Sequence, residues 1–533
     1  MKRTILFLIL AVASSEPTLP AQKTIADPEQ LGKVHFPISC IPAAQQQFDR
    51  ALAMLHSFWY PQDLNAFVEV TRTDPRCAIG YWGIAMSRRA NPLVGAPDPP
   101  ALKDGFEAIT KAKIMGPTSQ RERDYLAAME TYYKDWDKLD YRARVLAYEK
   151  AMEQMYLHYP QDTEAATFYA LALNEAATVL PADKHYTRQL KAGAILEKVL
   201  VAQPQHPGAL HYLIHSYDYQ ALANRGLAAA RRYDDVAPSA PHALHMPSHI
   251  YSMLGLWQDS IKSNQAALGV AKGSAHALDF MVYAYLQGAQ DAEAKRGVDR
   301  GAELPRNPAA VGKASPTGAT LAGYTGLAAI PARYAIERGA WIEAAALPLE
   351  PTTPVADAIT YFTRAMGSAR SGDLGAARIN IEQLKQTGER LMRSKDDYWA
   401  EQVEIMRTAS TAWVAYREDK RDAALTLMRT AADLEDRSEK HVAMENRLWP
   451  MRELLGDLLL AANEPALALK EYEASLQSAR NRYRGFYGAA KAAQLSGNRE
   501  KARSYYERLV ALCNKADTER PELVEARIYL AVK

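Results

Sequence analysis

"PQHPGALHYLIHSYDYQ" (residues 204–220) decides how this 533-residue chain is read. It recurs, altered, as "PSAPHALHMPSHIYSML" from Pro238 and "KGSAHALDFMVYAYLQG" from Lys272, each starting 34 residues after the last. In that register Ala209, Ala243 and Ala277 coincide, as do Leu210, Leu244 and Leu278, and Tyr217, Tyr251 and Tyr285. Nearer the C-terminus, "NEPALALKEYEASL" and "GNREKARSYYERLV" repeat at the same interval of 34, pairing Ala468 with Ala502 and Tyr472 with Tyr506. An earlier unit, "DPRCAIGYWGIAMS" from Asp74, has the same Pro-x-x-Ala opening. A fixed period of this length marks stacked units, each unable to bury its own apolar face without a neighbour.

Bulk properties agree with a repeat. The chain is long for one compact core, so several domains or a repeat array is expected. Val and Ile are modest while Ala and Tyr are abundant, with 29 Tyr, which argues against a sheet. The formal net charge is +2 and no dense Lys/Arg block appears. Charges alternate in sign along stretches such as "TSQRERDYLAAMETYYKDWDKLDYRARVLAYEK", so no nucleic-acid partner is expected.

The period and the residues at it resemble the tetratricopeptide repeat family. The likeness is strong at 204–290 and 456–512 and weaker over the rest of 42–290 and 350–530. It implies an all-α superhelix of stacked antiparallel helix pairs, with the first helix of each unit on the concave side. More narrowly, "ALAMLHSFWY", "DPRCAIGYWGIAMS", "HPGALHYLIHSYD" and "HALHMPSHIYSMLGLW" resemble a group of bacterial exported repeat proteins. That closer resemblance implies no particular activity.

The N-terminus "MKRTILFLILAVASS" has the layout of a secretory signal, with basic Lys2 and Arg3, a short apolar run and a small-residue site at Ala11-Val12-Ala13. Residues 1–21 are therefore expected to be removed, and the mature protein to be periplasmic or secreted, with no membrane-spanning segment. Export makes a Cys40–Cys77 disulfide one reading of those cysteines, and two buried thiols the other. The segment 298–326, "VDRGAELPRNPAAVGKASPTGATLAGYTG", is rich in Gly, Pro and Ala. It reads as a linker or long loop between an N-terminal array over 22–297 and a C-terminal array over 327–533.

The N-terminal array concentrates histidine. Of 12 histidines in the chain, seven fall between residues 206 and 276. His211 and His215 are four apart, one helical turn on the same face, and so are His245 and His249. The two pairs are themselves 34 apart, so they occupy equivalent positions in adjacent units. The family resemblance places those positions on the groove side. Packed helices lie roughly 8–10 Å apart, close enough for two such pairs to converge on one ion. This predicts a four-histidine site for Zn, Cu, Fe or Ni. Asp218, seven residues after His211, and Asp279, 34 after His245, are candidates to ligate directly or to orient an imidazole. A mononuclear iron triad of His-x-x-x-His plus one acid is the narrower variant. His242 and His276 pair at 34 as well, one turn before the grid. Pro247, between His245 and His249, ends, starts or kinks a helix, or opens the backbone to re-aim His245.

His56, Trp82 and Met86 are read as lining the groove, and Trp59 as core. No nucleophile elbow, paired-Cys zinc motif or phosphate-binding glycine loop is present, and no organic cofactor is expected. Two functions follow. One is an exported repeat protein that binds a transition metal in its groove, with or without metal-dependent chemistry on a peptide or small molecule. The other is a non-catalytic scaffold of the cell envelope whose histidines are polar contacts to a protein or peptide partner.

Overall fold

The computed structural model describes residues 29–314, 320–350, 352–445 and 447–532. The signal-like segment 1–21 lies outside the described residues. Among those described, every regular element is a helix, and no helix is long and apolar enough to cross a membrane.

The 34-residue period is visible in the helix boundaries. Pro207–Tyr217, Pro241–His245 and Ala275–Gln287 start at the same repeat position, and so do their antiparallel partners Ala223–Val236, Trp257–Val270 and Asp291–Ala302. The starts have local causes. His206 accepts the N–H of Ala209 through Nδ1 at 3.1 Å, and Ser274 accepts that of Ala277 at 3.3 Å, so both act as N-caps. Pro207 and Pro241 take the first helical position, where no N–H is needed. Near the C-terminus Pro465–Ser478 and Arg499–Leu512 repeat the same spacing. The molecule is a tetratricopeptide-like superhelix of stacked helix pairs, as the repeat implied.

The segment 298–326, read as a linker or long loop, carries the end of Asp291–Ala302, the short helix Pro308–Ala314 and the start of Thr320–Glu337, with 315–319 outside the described residues. Thr320–Glu337 packs against Ala275–Gln287, so helix pairs follow one another across it. Ala and Gly at its helix contacts, such as Gly323, Gly326 and Ala329, permit close approach. Loop-like composition and helix-interface composition are thus the same here.

The superhelix winds tightly enough for its C-terminal part to touch the N-terminal one. Buried Arg482 bonds Glu453 at 2.7 Å, Glu337 at 2.8 Å and the hydroxyl of Tyr283. The indole of Trp257 donates to the Asn481 carbonyl at 2.7 Å. Between helices Arg421–Arg437 and Met451–Ala461, the start of the connection, 438–445, lies over the histidine-rich units. From it Lys440 reaches Asp218 at 3.1 Å, and the Ala443 carbonyl accepts the Thr325 hydroxyl at 3.1 Å. Val442 and Ala443 thus help line the cavity beside the histidines, where an open groove was expected. Cys40 and Cys77 are joined as a disulfide.

Candidate metal centre

The four histidines of the predicted grid are all buried and lie together, but they do not form one four-ligand site. The nitrogens sort into two trios, His211, His215 and His242, and His245, His249 and His276, each with its ligand atoms within 4.8 Å of one another. Each member of the second trio stands 34 residues after its counterpart in the first. The trios are one local design used twice: a four-residue pair on one helix, completed by an imidazole from the first turn of the next unit's first helix. His242 and His276, weighed as additional or outer ligands, are the third members.

Tautomers can be read from the outward-facing nitrogens. His211 Nδ1 lies 2.6 Å from the His56 carbonyl, which only accepts, so the proton sits on Nδ1. His249 Nδ1 donates to the Asp218 carboxylate at 2.8 Å. His245 Nδ1 donates to Asn264 Oδ1 at 2.7 Å, the amide being fixed because its Nδ2 donates to the Ser260 carbonyl at 2.8 Å. All three rings therefore present a bare Nε2 inward. His245 Nε2 faces His249 Nε2 at 3.1 Å, and His211 Nε2 faces His215 Nε2 at 3.0 Å. At the His245–His249 contact both nitrogens are bare, and two lone pairs at this distance repel unless a cation lies between them; at the other contact only the His211 nitrogen is fixed as bare, and His215 Nε2 is free to carry a proton toward it. Two nitrogens on one tetrahedral ion stand about 3.3 Å apart, given metal–nitrogen bonds of ~2.0–2.1 Å. His242 Nε2 and His276 Nδ1 have no hydrogen-bond partner among the described residues.

A shared proton is a poor alternative to the cation, because burial pushes every one of these imidazoles below its ordinary value. The fall is to about 3 for His211 and about 4 for His245, with desolvation the leading cause in both. His215, His242, His249 and His276 fall well below the usual range for the same reason. The walls are aromatic. Phe58 packs on His211 at a centroid distance of 4.4 Å, and Phe280 on His249 at 4.6 Å. Neutral imidazole in a dry setting is the state that ligates a transition metal.

Backbone geometry aims the second trio. Pro247 cannot donate, so one helix ends at His245 and a second, Pro247–Leu254, begins there. Beside this break the Leu244 carbonyl accepts the Ser263 hydroxyl at 2.6 Å. His245 and His249 keep their facing arrangement across this break.

No protein-family model matches the chain, and no curated protein matches it. Among solved structures it is similar to the human IFIT1 dimer with PPP-AAAA, at TM-score 0.38 and 12% identity over 78% of this chain and 87% of that one. It is also similar to the APC/C hetero-tetramer Cut9-Hcn1, at TM-score 0.34 and 11% identity over 91% of this chain and 83% of that one. A tetratricopeptide repeat protein from Parabacteroides merdae scores 0.23 at 9% identity, covering 76% of this chain and 99% of that one. Likenesses of this size carry nothing about function.

The remaining sequence candidates take other places. Asp279 pairs with Arg333 at 2.9 Å and belongs to neither trio. Asp218 acts from outside, holding His249 while Lys440 balances its charge. Trp82, read as a groove residue, is buried in the core, stacked on Phe36 and edge-on to Phe168. Met86 is likewise core, with its sulfur 3.9 Å from the Tyr148 hydroxyl. Trp59 is partly buried at the core's edge.

His56 is buried in a third group, with Glu164 and His206. His56 Nε2 donates to one Glu164 oxygen at 2.8 Å and His206 Nε2 to the other at 3.0 Å. The other ring nitrogens accept from the Tyr212 hydroxyl at 3.1 Å and the Ala209 N–H at 3.1 Å. The missing side chain of Gly208 makes room, since a Cβ there would stand 2.3 Å from His56 Nδ1. The imidazoles hold the Glu164 carboxyl far below the usual carboxylate range, against its burial. Each of the four ring nitrogens already has a protein partner, so this group is structural. Glu164, Asn264 and Lys440 escaped the sequence reading because none lies at a repeat-equivalent histidine position.

Proposed function

We propose that the protein is an exported tetratricopeptide-like protein that holds transition-metal ions in its two three-histidine trios. The observation that carries this reading is the facing pair of bare nitrogens of His245 and His249, 3.1 Å apart, whose outer protons are pinned by an amide and a carboxylate, in a trio whose members recur 34 residues apart in the other. Three protein ligands leave a further position on each ion for water or a substrate, the pattern of catalytic rather than purely structural sites. The chemistry is on a small molecule, because the cavity against the trios is about 30 Å³ and Val442 and Ala443 wall it. The Cys40–Cys77 bridge supports an oxidising, exported setting.

The other reading is a scaffold for protein partners, which the fold alone favours. Elemental analysis of purified protein separates them. Stoichiometric zinc, copper, iron or nickel supports the metal site, and metal-free protein that refuses all four supports the scaffold.

A further inference from the structure

The trios are placed as a pair. Ring centroids across their boundary lie 5.9 Å apart for His242 and His245 and 6.2 Å for His215 and His249, against 6.3 Å for His215 and His242 within one trio. His215, His242, His245, His249 and His276 all line one cavity of about 30 Å³. One water needs roughly 10–15 Å³, so the space shared by the trios excludes all but very small ligands. A smaller cavity of about 10 Å³ shares Ser274 and His276 with it and is walled by Leu304, Val311 and Leu327. The approach past His276, which is less buried than the other five imidazoles, is thus narrow and largely apolar. It suits a small uncharged molecule better than an ion or a peptide.

Charge narrows the choice of metal. The six imidazoles are neutral donors, and the Asp218 carboxylate is already matched by Lys440 at 3.1 Å. Neither trio includes a carboxylate, so a bound ion has no anionic ligand in a low-dielectric place. That favours ions of low charge. Copper is an imidazole metal with a monovalent state.

On the metal-site reading above, we infer that the six imidazoles hold one dinuclear copper centre, one ion in each trio, and that it binds dioxygen between the two ions. Each Cu(I) gives up one electron. Dioxygen takes both, keeps its O–O bond and becomes a peroxide dianion between two Cu(II) ions, with no proton required. The electrons move within the centre, so its total charge is unchanged and no counter-ion has to enter with the dioxygen. The reverse transfer releases dioxygen.

The test uses the full-length, metal-free protein, loaded with Cu(I) under anaerobic conditions. Bound copper is counted and air is then admitted. The expected result is two copper ions per chain, the intense near-ultraviolet absorption of copper-bound peroxide, and no paramagnetic Cu(II) signal because the two ions are coupled. His276→Ala is expected to retain one copper, show no such band and give the signal of an isolated Cu(II). His276→Gln serves in its place where circular dichroism shows the alanine variant unfolded. Two bound coppers without the band, and with uncoupled Cu(II) signals after oxidation, overturn the dinuclear inference and leave the two metal sites standing. Failure to bind copper, zinc, iron or nickel overturns both.

Discussion

His206 and His211 stand five residues apart at the start of one repeat unit, yet they belong to different kinds of cluster. Around His206, a single carboxylate, Glu164, takes one N–H from each of two rings, and the other ring nitrogens accept from Tyr212 and Ala209. Around His211 and its repeat mate His245, the outer nitrogen donates to the protein and the inner one faces another imidazole. Both groups are buried, and both contain three ligand-type side chains within 4.8 Å. Proximity alone does not separate them; the partner of the second nitrogen does. A buried polar atom with a partner contributes to stability, while one without a partner costs stability until something binds it.

The contrast is broken most strongly at Glu164. Glu164→Ala leaves two buried N–H donors unmatched and is expected to lower stability by about 3–5 kcal/mol, with metal content unchanged. Thermal or denaturant midpoints measured beside metal analysis check this. Metal loss in this variant with unchanged stability would reverse the assignment of the two clusters.

The same residue gives a pH signature. Its carboxyl lies below its ordinary value in the fold. Its contribution is therefore present above the unfolded value of about 4.5 and is lost as pH falls through the lower folded value. The stability gap between wild type and Glu164→Ala should be constant from neutral pH down to about pH 5 and close only in stronger acid. A gap that closes near pH 6.5, the usual histidine value, would show that the carboxylate is not the centre of that cluster.

Asp218→Asn probes the metal side. It removes the charge behind His249 Nδ1 while leaving an amide oxygen able to accept, so the second trio should lose about tenfold in metal affinity, the low end of outer-shell effects. Competition titration against a chelator reads this, and unchanged affinity would show that His249 does not ligate. The smallest expected effect is on stability in His276→Ala. His276 is partly exposed and its Nδ1 has no partner among the described residues, so the metal-free variant should lose less than about 1 kcal/mol. The metal-bound forms should differ more, because only the wild type holds an ion in the second trio.

The fold was legible because its information is periodic. Equivalent Ala, Leu and Tyr residues at 34-residue spacing determine where helices start, and the helices do start there. The candidate site was legible in its members but not in its grouping. Spacing placed His211, His215, His245 and His249 on equivalent faces. It could not show that His242 and His276, one turn before the grid, reach back to complete the preceding unit's pair. That depends on how far consecutive units rotate. Asp279 satisfied the same register argument and went to Arg333 instead, an arginine 54 residues away that no repeat position announces. The covering segment 438–445 was hidden for the same reason, because its contact with Asp218 spans 222 residues. Trp82 and Met86 failed as groove residues because an aromatic on a helix face reads alike whether that face meets a groove or a neighbouring helix.

The central claim is that the two histidine trios are metal sites and the His56–Glu164–His206 group is not. The most direct measurement is the metal content of protein purified without added metal and then incubated separately with zinc, copper, iron and nickel salts and desalted. The account predicts two ions per chain for at least one metal, one ion in His276→Ala, and no change in a folded Glu164→Gln variant. Less than one ion per chain for all four metals would contradict it, and the six imidazoles would then be packing residues of a scaffold.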